Sequence, residues 1–322
     1  MKTNENATSG QTAPPAGALA QAAGKAAVLV EAMPYIRAFQ HRYIVIKLGG
    51  SAQDDPAVLR GVLADADFML AAGLRPVVVY GGGKKISRAM KEMGREAVFV
   101  QGQRVTDPET MAVVARVLAG DVGQELLGLL AEAGGVGECL NGRDHQVLRA
   151  VKKTLPERPD VDLGCVGEPV AIDATRIHRL FERYNYPDGR TRLPLIAPVA
   201  CGCGREQNQL YNVNGDTAAA LIARDLHAEK LVFLSDIPGV YRDRNDPASL
   251  EPHLDRAGVE RMMKAGQIEG GMIPKAEACL FALEGGVKKA HIIPAGQPHA
   301  LLLEIFTQAG VGTEIVLGAD GG

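Results

Sequence analysis

The chain has 322 residues, 46% of them hydrophobic, enough for one large α/β unit or two lobes around a filled core. Its 35 basic and 38 acidic side chains leave a net charge of −3, which gives no support to a nucleic-acid or polyanion binder. No apolar run reaches the roughly 18 residues of a membrane span, and five sparse cysteines predict reduced thiols in a cytoplasmic protein.

Residues 1–22 carry one lysine and one glutamate among Ala, Gly, Thr, Gln and Asn, and read as a flexible tail without signal- or transit-peptide character. Over 23–40, Val28, Leu29, Ala32, Met33, Tyr35, Ile36 and Phe39 fall at helical spacing. That predicts an amphipathic helix, packed either on its own domain or on another subunit. The run from Tyr43 to Leu48 is the first strand and ends in Gly49 and Gly50. A helix over 56–72 and a second strand over 75–80 follow, the strand ending in Gly81, Gly82 and Gly83 before another helix. Glycines thus follow two strands at their carboxyl ends, where open α/β sheets bind ligands.

Residues 108–133 read as helices interrupted near Gly120, 134–171 as short strands in hairpins, and 193–199 as one strand. The segment 211–216 leads into a helix over 217–226, after which we place a lobe boundary. A strand over 230–234 runs into Asp236, Gly239 and Tyr241. Helices over 259–264 and 274–283, a strand over 289–293 and a helix over 299–307 complete the chain. Such alternation predicts a mainly parallel open sheet flanked by helices.

Two lysines stand out. Lys47 closes an otherwise apolar strand and Lys275 opens a helix behind Gly270 and Gly271. A lysine in a buried strand needs a partner, unless the strand end simply faces solvent. Beside bare glycine backbone, the pair could hold a polyphosphate, which is what phosphoryl transfer requires. The Gly-Lys-Ser/Thr phosphate loop is absent, because Gly83 and Lys84 are followed by Lys85 and its first glycine would fall on Val78. Arg104 is either a surface arginine or a bidentate carboxylate clamp. Asp216 is either a helix cap or the anion that orients both lysines, with Asn212 available to hold substrate. Cys201 and Cys203 could form half a metal site, but no second ligand pair is spaced to complete it, so we expect no metal site on the protein.

The stretches IVIKLGG (44–50), FVQGQRVT (99–106), YNVNGDTA (211–218), LSDIPGV (234–240) and GGMIPKAEAC (270–279) occur in this order. Together with GGVKKAHII (285–293) and HALLLEIFT (299–307), they resemble the amino-acid kinase family, and within it the acetylglutamate kinases. The resemblance covers residues 23–317. It implies a three-layer α/β/α sandwich, with a substrate lobe over 41–227 and a nucleotide lobe over 228–322. By that resemblance Lys47 and Lys275 stabilise the transferring phosphoryl group and Asp216 organises them. Gly82, Gly83, Arg104 and Asn212 hold N-acetyl-L-glutamate. Gly49, Gly50, Asp236, Gly239, Tyr241 and Met272 hold ATP, with Mg²⁺ carried on the nucleotide. The implied product is an acyl phosphate on the way to arginine. No general base is required, since a γ-carboxylate is ionised at pH 7.

The N-terminal helix resembles the segment that interlaces dimers into a hexamer in arginine-inhibited members, so a homo-oligomer, dimer or hexamer of dimers, and L-arginine as effector are implied. Several positions depart from the family pattern. Ala309 stands where an acidic residue is usual, Gly215 where alanine is, and Tyr80 where histidine is common. Lys84 and Lys85 add charge near the phosphate path. A kinase of an aminoadipate derivative, or a low-turnover binder of arginine or acetylglutamate, are the competing readings.

Overall fold

The computed structural model describes residues 16–308 and 310–318. Its first elements are α1 (Ala16–Phe39), β1 (Tyr43–Leu48), α2 (Pro56–Ala71) and β2 (Arg75–Val79). Next come α3 (Gly83–Glu92), β3 (Phe99–Val100), β4 (Gln103–Arg104) and α4 (Pro108–Ala115). A π-helical turn over Arg116–Val122 joins α4 to α5 (Gly123–Glu132). β5 (Gly137–Leu140), β6 (Leu148–Lys152), β7 (Val166–Ile172) and α6 (Ala174–Leu180) follow. Then come β8 (Leu193–Ile196), β9 (Val199–Gly202), β10 (Leu210–Val213) and α7 (Gly215–Asp225). The remainder holds β11 (Lys230–Ser235), β12 (His253–Asp255), α8 (Arg256–Lys264) and α9 (Met272–Glu284). β13 (Lys289–Pro294), α10 (Ala300–Phe306) and β14 (Thr313–Val316) end the order.

Eight strands form one sheet in the order β12-β14-β13-β11-β1-β2-β8-β5. Only the β13–β14 pairing is antiparallel. β1 is buried along its whole length, as a strand covered on both faces must be. Alternation splits it: Tyr43 and Val45 join the core shared with α7 and α9, while Ile44, Ile46 and Leu48 join the core under α2 and α5. This is the α/β/α sandwich that the sequence leads us to expect. A small closed barrel, β10-β7-β6-β9, sits beside it and carries β10 into the first turn of α7.

Several local expectations fail for identifiable reasons. The helix begins at Ala16, so residues 16–22 of the predicted tail are helical. Near its end Ala32, Tyr35, Ile36 and Phe39 pack on the core. Val28 and Val30 remain 64% and 70% exposed. The predicted strand over 193–199 breaks at Ala197 and Pro198, placing β8 in the main sheet and β9 in the barrel. Between 134 and 171 only β6 and β7 make an antiparallel pair, whereas β5 joins β8 in parallel. The interruption near Gly120 is real and takes the form of the π turn.

Candidate active site

Lys47 lies at the carboxyl end of β1 on the face that looks toward α7. Its Nζ is 2.6 Å from Asp216 Oδ1, and Lys275 Nζ is 2.8 Å from Asp216 Oδ2. One carboxylate therefore bridges an ammonium from the middle sheet strand and one from the first turns of α9. Asp216 is not the helix cap. Asn214 takes that place, its Oδ1 accepting from the N–H groups of Asp216 at 2.8 Å and Thr217 at 3.1 Å. A methyl group at Gly215 would come within 3.2 Å of Lys47 Cε, so the bare backbone there gives the lysine stem its room.

Lys47 and Asp216 are only 8% and 6% exposed, so burial is the largest single influence on each. Burial pushes the Lys47 ammonium below its ordinary range; Asp216 opposes the shift and Lys275 adds to it. Burial alone would raise the Asp216 carboxyl, but Lys47 and Lys275 together outweigh it and hold it below the usual carboxylate range. The trio thus brings two lysine side chains onto one fixed carboxylate. Two cations at one point, preorganised by a fixed anion, suit the charge that spreads over a phosphoryl group in flight.

A cavity of about 180 Å³ adjoins this trio, with Gly81, Gly82 and Gly83 on one wall and Arg104, Asn212 and Asn214 on the other. Asn212 Nδ2 donates to Thr106 Oγ1 at 3.2 Å, and Thr106 Oγ1 in turn donates to Arg104 O at 2.7 Å. Arg104 is buried under the Phe99 ring, 4.7 Å from its centroid. The guanidinium donates to Gly83 O at 2.9 Å and Ser87 Oγ at 2.8 Å, and no carboxylate pairs with it among the described residues. A buried guanidinium that faces neutral acceptors retains the capacity to bind an anion brought by a ligand. Sequence reasoning found Gly82, Gly83, Arg104 and Asn212 in this wall. It missed Leu118 and Pro198 in the lining, and it missed that Thr106, behind the lining, holds Asn212.

The candidate nucleotide residues divide into two groups. Gly50 and Asp236 are exposed beside each other's loops, because Gly49 N donates to Leu234 O at 2.9 Å and ties the β1 and β11 ends together. Gly49 itself is spent on that contact, since a Cβ there would lie 2.3 Å from Leu234 O. Gly239 packs on Thr313, whose Oγ1 accepts from Val240 N at 2.9 Å, and Tyr241 bridges to Leu250. Met272 is buried in the core with its N–H donated to Glu269 O, so its side chain serves packing. Lys84 and Lys85 do not add free charge to the site: they pair with Asp54 and Glu125.

The sequence profile of the amino acid kinase family matches residues 42–294. The chain belongs to that family. Acetylglutamate kinase of Caldanaerobacter subterraneus subsp. tengcongensis is 43% identical over 291 residues, covering 90% of this chain and 93% of that protein. Acetylglutamate kinase of Moorella thermoacetica is 41% identical over 300 residues, covering 91% and 98%. Among solved structures, N-acetylglutamate synthase from Neisseria gonorrhoeae, complexed with coenzyme A and N-acetyl-glutamate, aligns with a TM-score of 0.74 at 24% identity. The alignment covers 91% of this chain and 64% of that longer one. Carbamate kinase from Giardia lamblia bound to AMP-PNP aligns with a TM-score of 0.60 at 16% identity, covering 86% and 99%. At these identities the two structures speak to the fold alone.

Proposed function

We infer that this chain transfers the γ-phosphoryl group of ATP to the γ-carboxylate of N-acetyl-L-glutamate. The observation that carries the reading is that one short segment serves both halves of the reaction. Asn212 and Asn214 line the cavity with the unpaired Arg104, while Asp216 two residues on holds both lysines. A γ-carboxylate oxygen attacks the γ-phosphorus, the bond to the β,γ-bridging oxygen breaks, and ADP leaves with that electron pair. Arg104 binds a substrate carboxylate, Gly82, Gly83 and Asn212 orient the remainder, and Lys47 and Lys275 neutralise the phosphoryl oxygens. Relatives named acetylglutamate kinase at 41–43% identity, matched over nearly their whole length, support the substrate assignment.

The nucleotide lies against the ends of β1 and β11, with Gly50 and Asp236 facing its phosphates and residues 228–322 forming its lobe. Residues 41–227 form the substrate lobe. Mg²⁺ travels on the triphosphate, as suits a small cation that keeps its waters and binds through substrate phosphates. Bound that way it supplies further charge neutralisation to the phosphates.

L-Arginine is the effector we assign to a cavity of about 570 Å³ between α1 and the β14 end, lined by Tyr35, Phe39, Lys230, Glu304, Gly312 and Glu314. Ala309, where an acidic partner is usual, lies outside the described residues, and Glu304 and Glu314 supply carboxylates in its place. The exposed Val28 and Val30 of α1 suit burial against a second copy in a homo-oligomer. Among the described residues no helix is long and apolar enough to cross a membrane.

The test is ADP release from ATP and Mg²⁺ with and without N-acetyl-L-glutamate, with an N-acylated aminoadipate as competitor. Release that depends on acetylglutamate and is suppressed by added L-arginine is the expected result. Release only with the aminoadipate derivative, or none from folded protein, rejects the substrate assignment.

A further inference from the structure

Tyr80 is fully buried between the end of β2 and the glycine turn, its N–H donating to Ile196 O at 3.2 Å. Its hydroxyl crosses to the π turn and donates to Leu118 O at 2.9 Å. A π turn shifts the helical ladder by one residue, and here the phenol adds a bond from outside the helix to one of its carbonyls. The hydroxyl is boxed in: a Cβ on Gly123 would stand 3.0 Å from it and 2.9 Å from Cys139 Sγ. On the same π turn, Leu118 and Val122 press on Gly82 from behind. A Cβ at Gly82 would lie 2.7 Å from Leu118 Cδ2 and 3.3 Å from Val122 Cγ2. Leu118 also lines the cavity beside Arg104.

We propose that Tyr80 is a positioning residue for the acceptor substrate: by holding the π turn against Gly82 through its hydroxyl, it sets the glycine turn that the substrate meets. The chain of contact runs from the phenol to the Leu118 carbonyl, from the Leu118 and Val122 side chains to Gly82, and from Gly82 to the cavity. Tyr80 touches no substrate. Burial raises its phenol well above the usual range, so the hydroxyl remains a donor throughout the working pH range. The nucleotide side, built from the β1 and β11 ends, lies outside this path.

The proposal rests on the acetylglutamate reading, and the experiment separates the two. In full-length protein, Tyr80→Phe removes the hydroxyl and keeps the ring. KM for N-acetyl-L-glutamate should rise about 5- to 10-fold, the scale of one lost hydrogen bond, with KM for ATP unchanged and kcat within about 2-fold. Leu118→Ala should shift the same constant, and the double variant should fall short of the product of the two shifts, since both act through Gly82. In hydrogen exchange, Tyr80→Phe should speed the amides of the π turn and of Gly82 and Gly83 together. A lowered melting temperature with both KM values unchanged makes Tyr80 merely structural and overturns the proposal. Faster exchange confined to the π turn does the same. Wild-type protein without acetylglutamate-dependent turnover refutes the substrate reading alone, because the exchange of Gly82 and Gly83 still decides whether Tyr80 holds the turn.

Discussion

Lys275 reaches Asp216 across 59 positions of sequence, its Nζ 2.8 Å from Oδ2. The other oxygen of that carboxylate faces Lys47, so Asp216 is the point at which the two lysines share one geometry. Lys47 Nζ stands 2.6 Å from Oδ1, so each carboxylate oxygen holds one lysine. Four measurements follow from this arrangement and its surroundings.

Asp216→Asn keeps the shape and removes the charge. Two ammonium groups then face each other in a desolvated site. Turnover should fall at least about 100-fold, and unfolding free energy by about 3 kcal/mol, the scale of a broken buried pair. Urea melts alongside kcat check both. A rate loss with unchanged stability means the lysines find other partners.

Lys275→Ala leaves Asp216 paired with Lys47 and the acceptor pocket intact. Its charge matters most as the phosphoryl group moves, so kcat should drop about 100- to 1,000-fold with little change in acetylglutamate affinity. Calorimetric titration of the variant with acetylglutamate provides the comparison. Equal losses in affinity and rate remove Lys275 from the transfer step.

Arg104→Lys retains a cation but loses the planar fork that spans Gly83 O, Ser87 Oγ and an incoming carboxylate. KM for acetylglutamate should rise about 10-fold or more, with KM for ATP unchanged. An unaltered acetylglutamate constant takes Arg104 out of the pocket.

His291 in β13 is 1% exposed, and burial depresses its pKa below the ordinary histidine value of 6.5, with Lys230 adding to the shift and Glu304 opposing it. The unfolded chain therefore takes up a proton before the folded one does. The stability this contributes is present above pH 6.5 and is lost as pH falls below it through the folded value. Asp216, Glu304 and Glu314 are also depressed, but from carboxylate values, so their share is lost at lower pH. The melting temperature should decline on going from pH 7 toward 5.5, and less steeply in His291→Gln. Parallel slopes in the two proteins assign the decline to other groups.

Much of the site was legible because its chemistry conflicts with its local context. A lysine ending an apolar strand, an arginine just ahead of a helix cap and glycines at strand ends each violate what a core or surface alone would select. Asn214 and Asp216 are both cap-type residues two positions apart, and only the observed helix start separates the cap from the anion. The N–H of Gly49 looked free for a phosphate, yet its partner Leu234 is remote in sequence. Lys84 and Lys85 read as loose charge because Asp54 and Glu125 lie 30 and 40 positions away. Leu118 was invisible as a site residue, since a helical leucine is ordinary wherever it occurs, and Tyr80 drew notice only as a departure from the family pattern. Pro198 falls inside what reads as one strand over 193–199, and nothing local shows that the chain changes sheets there.

β1 is hydrogen-bonded on one edge to β2 and on the other to β11, from Ile44 opposite Lys230 to Leu48 opposite Leu234. The sheet thus runs unbroken through the boundary we place between the two lobes. A chain severed at 227/228 would leave each half with a long apolar strand edge where the other used to be. Such halves should be poorly soluble apart and should reassemble when produced together, as a split protein whose recovered turnover reports the rejoining of Lys47 on one piece with Lys275 on the other.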